Sequence, residues 1–150
     1  MTLKNAINFF ESLEAETNRK SEKKVYQEFV QIITSLQKKD LPENGIQSIE
    51  TELDNLNFKS NSVNRKKYYK KAINDFKKYL KDTFSLTTKG YYTTLYGGLG
   101  LVFGLLFGVA ILSNLERSLG ISLGLIGGMV IGSLMGRSKD AQAKISGKML

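Results

Sequence analysis

The chain has no cysteine, no histidine and no tryptophan, and its single proline is Pro42. Without thiols there is neither a disulfide framework nor a cysteine nucleophile. Without imidazole the commonest acid–base group is gone, and most zinc and haem sites with it. An enzyme would have to run on carboxylates and lysines, and no paired carboxylates or nucleophile–base set stands out. The expectation is a protein that is not an enzyme and carries no metal or other cofactor. Met1-Thr2-Leu3-Lys4-Asn5 lacks the basic-then-apolar pattern of a signal peptide, so the N-terminal part is expected to stay in the compartment where it is made.

Charge is absent from two stretches of the last third. Tyr91 to Leu112 is uncharged for 22 residues and Leu119 to Met135 for 17. At ~1.5 Å per residue the first covers a hydrocarbon core of about 30 Å, and the second sits at the short end of the spanning range. With Ser113-Asn114-Leu115-Glu116-Arg117-Ser118 as a tight polar turn tied down by Glu116 and Arg117, the sequence predicts a transmembrane hairpin over 91–136, with spans 91–112 and 119–136. Residues 1–90 are too few to cover both runs as the core of a soluble protein. Neither span holds an Asp, Glu, Lys, Arg or His, which argues against a proton relay or a coupled transporter. A passive pore lined by backbone and serines stays compatible.

The charge that is present is stacked on both flanks. Residues 1–63 carry eight Lys/Arg against ten Asp/Glu, whereas residues 64–89 carry nine basic residues against Asp75 and Asp82. The nine are Arg65, Lys66, Lys67, Lys70, Lys71, Lys77, Lys78, Lys81 and Lys89; beyond the second span come Arg137, Lys139, Lys144 and Lys148. The positive-inside rule then places both termini in the cytoplasm and the turn outside. Tyr91, Tyr92 and Tyr96 fall where an interfacial aromatic belt belongs.

Glycine is the most informative residue present. Gly100, Gly104 and Gly108 in the first span, and Gly120, Gly124, Gly128, Gly132 and Gly136 in the second, recur at every fourth position. In a water-exposed helix each glycine costs about 1 kcal/mol; in lipid, small residues at this spacing let helices approach and pack. Each four-residue step drifts about 40° around a helix of ~3.6 residues per turn, so five glycines sweep roughly 160°. Either the helix coils around its partner, or the stripe serves two neighbours: the first span of its own chain and a span of another copy. The second option predicts homo-oligomerisation, helped by Gly127, Ser122 and Ser133; the plain alternative is that the glycines only tighten the intrachain hairpin.

The first 85 residues read as amphipathic helices. Leu3, Ile7, Phe10, Leu13 and Thr17 form one 3–4 spaced stripe. After Asn18-Arg19-Lys20-Ser21, with Ser21 as the expected cap, a second helix carries Val25, Phe29, Ile32, Ile33 and Leu36 and stops before Pro42. A weaker third has Ile46, Ile49, Leu53 and Leu56, and Lys59-Ser60-Asn61-Ser62 breaks it. A fourth runs from about Val63 to Phe84 with Tyr69, Ile73, Phe76, Leu80 and Phe84 on one face. The fold class predicted is all-α: a cytoplasmic bundle of three to four helices over 1–85, a short stem at 86–90, the hairpin, and a basic tail over 137–150. The fold of 1–62 has a rival, in which the first two helices form a hairpin that packs between subunits.

The cluster Arg65-Lys66-Lys67-Tyr68-Tyr69-Lys70-Lys71 admits a nucleic-acid reading, since basic residues interleaved with aromatics hold phosphates and stack bases. It also lies on the cytoplasmic flank of a membrane span, where lysines bind anionic headgroups at ~1 kcal/mol per charge. Lipid contact or plain solvation is favoured, with Arg65, Lys66, Lys67, Lys70, Lys71, Lys77, Lys78, Lys81, Lys89, Arg137 and Lys139 as the candidates. Gly97-Gly98-Leu99-Gly100 lacks the lysine and strand of a phosphate loop.

The segment Gly120 to Gly136, followed by Arg137-Ser138-Lys139-Asp140-Ala141-Gln142-Ala143, resembles the tails of small bacterial glycine-zipper membrane proteins with two transmembrane helices. The resemblance covers about the last 60 residues and implies a bacterial inner-membrane home and self-association. The leading expectation is a small membrane protein that self-associates through its glycine faces and displays a cytoplasmic helical domain to a protein partner, as a structural protein, an effector or a membrane-perturbing pore. Two spans with both ends inside also look like one class of phage holin, from which the long N-terminal domain departs. The alternative is a passive anchor or accessory subunit of a larger membrane complex.

Overall fold

A computed structural model describes residues 1–58, 64–110 and 117–150. It is all-helical among those residues: α1 Leu3–Glu16, α2 Lys20–Gln37, α3 Glu43–Asn55, α4 Arg65–Phe84, α5 Tyr91–Ala110 and α6 Arg117–Ile145. The break expected at 59–62 and most of the turn expected at 113–118, with Glu116, lie outside the described residues. The chain divides into two compact units, Met1–Leu86 with Leu150, and Thr87–Met149.

In the first unit the stripes read from the sequence become the core. Phe10, Phe29, Ile33, Leu36, Ile49, Leu53, Ile73, Phe76 and Leu80 are almost fully enclosed. Helix α1 packs on α2, α2 on α4, and α3 on α4. The Thr2 side chain caps α1 by accepting from Asn5 N at 3.2 Å. The cap expected at Ser21 is absent, because α2 starts earlier, with Arg19 as its N-cap. The work falls to a clamp instead. Thr17 Oγ1 donates to the buried Glu22 carboxylate at 2.8 Å, and Arg19 Nη1 donates to the same carboxylate at 3.3 Å. This satisfies a buried charge while turning the chain from α1 into α2. Two further ion pairs bind elements: the N-terminal ammonium with Asp54, and Lys77 of α4 with Glu28 of α2.

Aromatic rings fill the centre. Phe10 stacks on Phe29 with centroids 4.2 Å apart and meets Phe58 edge-on at 4.9 Å. Tyr69 closes the group and donates its hydroxyl to Phe58 O at 2.9 Å. Its neighbour Tyr68 donates to Leu56 O at 2.9 Å and to Asn57 O at 2.8 Å. Both phenols thus tie the start of α4 to the end of α3, so each ring buries its apolar body and still satisfies its polar tip.

In the second unit α5 and α6 lie antiparallel. Helix α6 is 29 residues long and continues nine residues past the predicted span, so the expected basic tail is helical through Ile145. It stops at Gly147, whose φ of +66° lets Gly147 N donate to Lys144 O at 3.1 Å and Lys148 N to Ala143 O at 2.8 Å. That paired pattern closes a helix through a left-handed residue, which glycine adopts without strain. Both helices are long and apolar enough to cross a membrane. Their large side chains stand outward: Phe103 is 67 % exposed and Ile126 63 %, the reverse of a soluble core helix.

Burial pushes the Tyr69 phenol up to about 12, with Tyr26 adding to the shift and Arg65 opposing it. Tyr26 is also raised, by burial first and by Glu22 second. The folded unit therefore holds these protons more tightly than the unfolded chain, whose phenols titrate near about 10. The stability this provides is complete below about pH 10 and lost as pH rises toward about 12. We predict alkaline unfolding of the first unit in that window, read by near-UV circular dichroism alongside phenolate absorbance. Tyr69→Phe, which cannot ionise, should shift the alkaline midpoint upward even if stability at neutral pH falls.

Candidate functional site: a glycine-packed hairpin and a basic helix face

The glycines of the two apolar helices meet one another backbone to backbone. Gly108 faces Gly120 and Gly124, Gly104 faces Gly124 and Gly128, and Gly100 faces Gly128 and Gly132. Gly132 also lies against Tyr96, and Gly136 against Tyr92 and Thr93. A Cβ added at Gly108 would come 2.5 Å from Gly120 O, and one at Gly136 the same distance from Thr93 Cα. At Gly100, Gly104, Gly124, Gly128 and Gly132 it would run still deeper into a carbonyl oxygen. The contacts are reciprocal: a side chain on Gly104 would strike Gly124 O, and one on Gly124 would strike Gly104 O. The Cα–H bonds in those directions point at the opposing carbonyls, a weak attraction of roughly 0.5–1 kcal/mol per contact.

The drift of the stripe led to two options, coiling around one partner or serving two. Within this chain the first span lies along the whole stripe from Gly120 to Gly136. What faces away is bulky: Leu99, Val102, Phe103, Leu106, Ile126, Val130, Ile131 and Leu134 are all exposed. Gly98 and Gly127 differ from the stripe, since a Cβ on either meets nothing within 4 Å. Ser122 is exposed, while Ser133 lies beside Gly97.

The four-residue series does not end at Gly136. Its next member is Asp140, 8 % exposed, on the part of α6 read from sequence as a tail. Its carboxylate accepts from Tyr92 N at 3.0 Å, Thr93 N at 3.1 Å and Thr93 Oγ1 at 2.6 Å. Those amides belong to the first turn of α5 and have no carbonyl within their own helix. A negative charge there is favoured by the helix dipole as well. Asp140 thus caps one helix from the other. Sequence reasoning passed over it as a lone acid in a basic segment; its register with the glycines was the available signal. Close by, Thr87 N donates to Lys148 O at 2.9 Å, and the buried Thr87 hydroxyl has no hydrogen-bond partner.

The basic candidates separate into groups. On α4, Lys66, Lys67, Lys70, Lys71 and Lys78 are exposed, whereas Lys77 is partly covered and paired with Glu28. Lys81 is half-buried, 4.0 Å from Asp82. Arg65 is exposed, but at about 100° per residue it projects on the Tyr69 side of α4, away from the lysines. Lys89 lies in the connector before α5; Arg137 and Lys139 are exposed on α6, where Lys139 Nζ reaches Gln142 Oε1 at 3.5 Å. No group of three acidic side chains able to hold a metal ion occurs among the described residues. Comparison with known protein families, curated proteins and solved structures returns no match to this chain.

Replacing Gly104 by leucine should wedge the helices apart at an interface that has no room to adjust, costing about 1–3 kcal/mol or more. Gly98→Leu, in open space, should be close to neutral. The check is the midpoint of a denaturing-detergent titration of the purified protein, which should fall for the first variant alone.

Proposed function

We propose that the chain is a two-span integral membrane protein of a bacterial inner membrane, with both termini cytoplasmic. Its hairpin is a closed glycine zipper that anchors the N-terminal helical unit, and the whole serves as an anchor or accessory subunit and not as an enzyme. The observation that carries this reading is the engagement of the glycine stripe within one chain. The hairpin needs no second copy to bury its glycines, and its outward surface is the bulky apolar kind that lipid covers. Basic residues before α5 and on the last turns of α6 and beyond support the orientation. The N-terminal unit, with its continuous aromatic core, is the part offered to a protein partner.

A second reading has its own support. Gly98 and Gly127 stay open, and Gly127 helps line an apolar groove of about 880 Å³ with Leu99, Phe103, Ile131 and Met135. A helix from another copy seated there would make the protein a homo-oligomer, and a ring of copies could perturb or perforate the membrane. The groove lacks the polar lining a conduit requires, so the anchor ranks first. Native mass spectrometry from nanodiscs separates the two. The anchor reading expects a monomer, with any partner recovered as a different polypeptide. A discrete ring of four or more copies that also releases ions from liposomes overturns it in favour of the pore.

A further inference from the structure

We propose that the exposed face of α4 is a docking surface for the anionic headgroups of the bilayer that holds the hairpin. This rests on the membrane reading above and adds a second, electrostatic point of attachment to it. At about 100° per residue, Lys66, Lys77, Lys70, Lys81, Lys67, Lys78 and Lys71 fall in that angular order within an arc of roughly 140°. Asn74 lies near its middle, and the buried Tyr69, Ile73, Phe76 and Leu80 lie outside it, on the side beyond Lys66. The acidic residues of the helix, Asp75 and Asp82, follow Lys71 at one edge of the arc and leave its interior basic. Lys77 is turned aside by Glu28 and Lys81 lies near Asp82. Lys66, Lys67, Lys70, Lys71 and Lys78 form no ion pair among the described residues and are exposed.

Like charges held this close repel one another, and Lys66–Lys70 and Lys67–Lys71 are i,i+4 pairs that weaken an isolated helix. An anionic surface within a Debye length converts that cost into attraction. The chain supplies such a surface at short range. Six residues separate Phe84 from Tyr91, a reach of at most about 25 Å even when fully extended. The end of α4 therefore cannot leave the neighbourhood of the membrane.

A nucleic acid would be the other polyanion for this strip, and the aromatic residues decide against it. Single-strand binding combines charge with exposed rings on which bases stack. Tyr69 is buried, Tyr68 is held by the carbonyls of Leu56 and Asn57, and Tyr79 packs against Phe84. None of the three is an open stacking platform. A charged face without rings suits the diffuse charge of headgroups better.

The lack of native cysteine makes the test direct. Full-length Asn74→Cys and Glu11→Cys proteins, spin-labelled, are placed in nanodiscs of neutral phosphatidylcholine or of phosphatidylcholine with phosphatidylglycerol. Collision with a water-soluble nickel chelate is then measured. The label at 74 should lose accessibility at least about threefold in the anionic discs and recover in high salt, as screening requires. The label at 11 should not change, and the Lys66/Lys67/Lys70/Lys71→Gln variant should abolish the difference. Equal accessibility at 74 in both discs overturns the docking surface and leaves the membrane reading standing. Failure of the protein to enter discs overturns both. Protection at 74 by added RNA in neutral discs, with none from anionic lipid, reassigns the strip to nucleic acid.

Discussion

The second unit depends on one constraint: two helix backbones lie so close that only hydrogen fits between them. Glycine is a poor helix former in water because it lacks a side chain to pack and exposes backbone. Between α5 and α6 the same lack becomes the means of association, because removing each Cβ lets Cα–H groups meet carbonyls directly. The rest of the unit follows. Bulky side chains have no place in the seam and turn outward, which makes the hairpin a poor solute in water and a good one in lipid. The absence of charged residues from the two apolar stretches is consistent with that, as is the basic charge massed on both sides of them.

Asp140 gives this packing a defined register. Glycine faces alone are smooth, and a slide of one helical turn would still bring glycine against glycine. A carboxylate that must reach the amides of Tyr92 and Thr93 removes that freedom, since shifting α6 by four residues would break all three of its hydrogen bonds. The energetic role of the glycines and the positional role of the aspartate are thus separate, although both occupy the same four-residue series. Gly147 then closes α6 so that Lys148 can pair with Thr87.

Most helices were legible from spacing, and the reason is physical: in an all-helical chain the apolar period directly reports which face is buried. Val25, Phe29, Ile32, Ile33 and Leu36 were read as one stripe and form one wall of the core. What the pattern could not give was chemistry carried by polar residues at helix ends. The turn into α2 is held by the Glu22 clamp, with Thr17 and Arg19 donating to one buried carboxylate, and not by the expected Ser21 cap. The extension of α6 to Ile145 was hidden because charge ends a hydrophobic run without ending a helix. The choice between coiling and a second partner was undecidable from angles, since four-residue spacing permits both; the placement of α5 along the whole stripe shows what the chain itself contributes.

The most direct test of the intrachain seam is a disulfide built across it. A Cβ at Gly97 would stand 3.1 Å from Ser133 Oγ, a spacing suited to the Cβ-to-sulfur geometry of a bridge. Gly97→Cys with Ser133→Cys, oxidised at low protein density in membranes, should close a bond within one polypeptide, visible as a monomer of altered gel mobility that reverts on reduction. Disulfide-linked dimers as the main product, or two thiols that stay free, would contradict the closed hairpin.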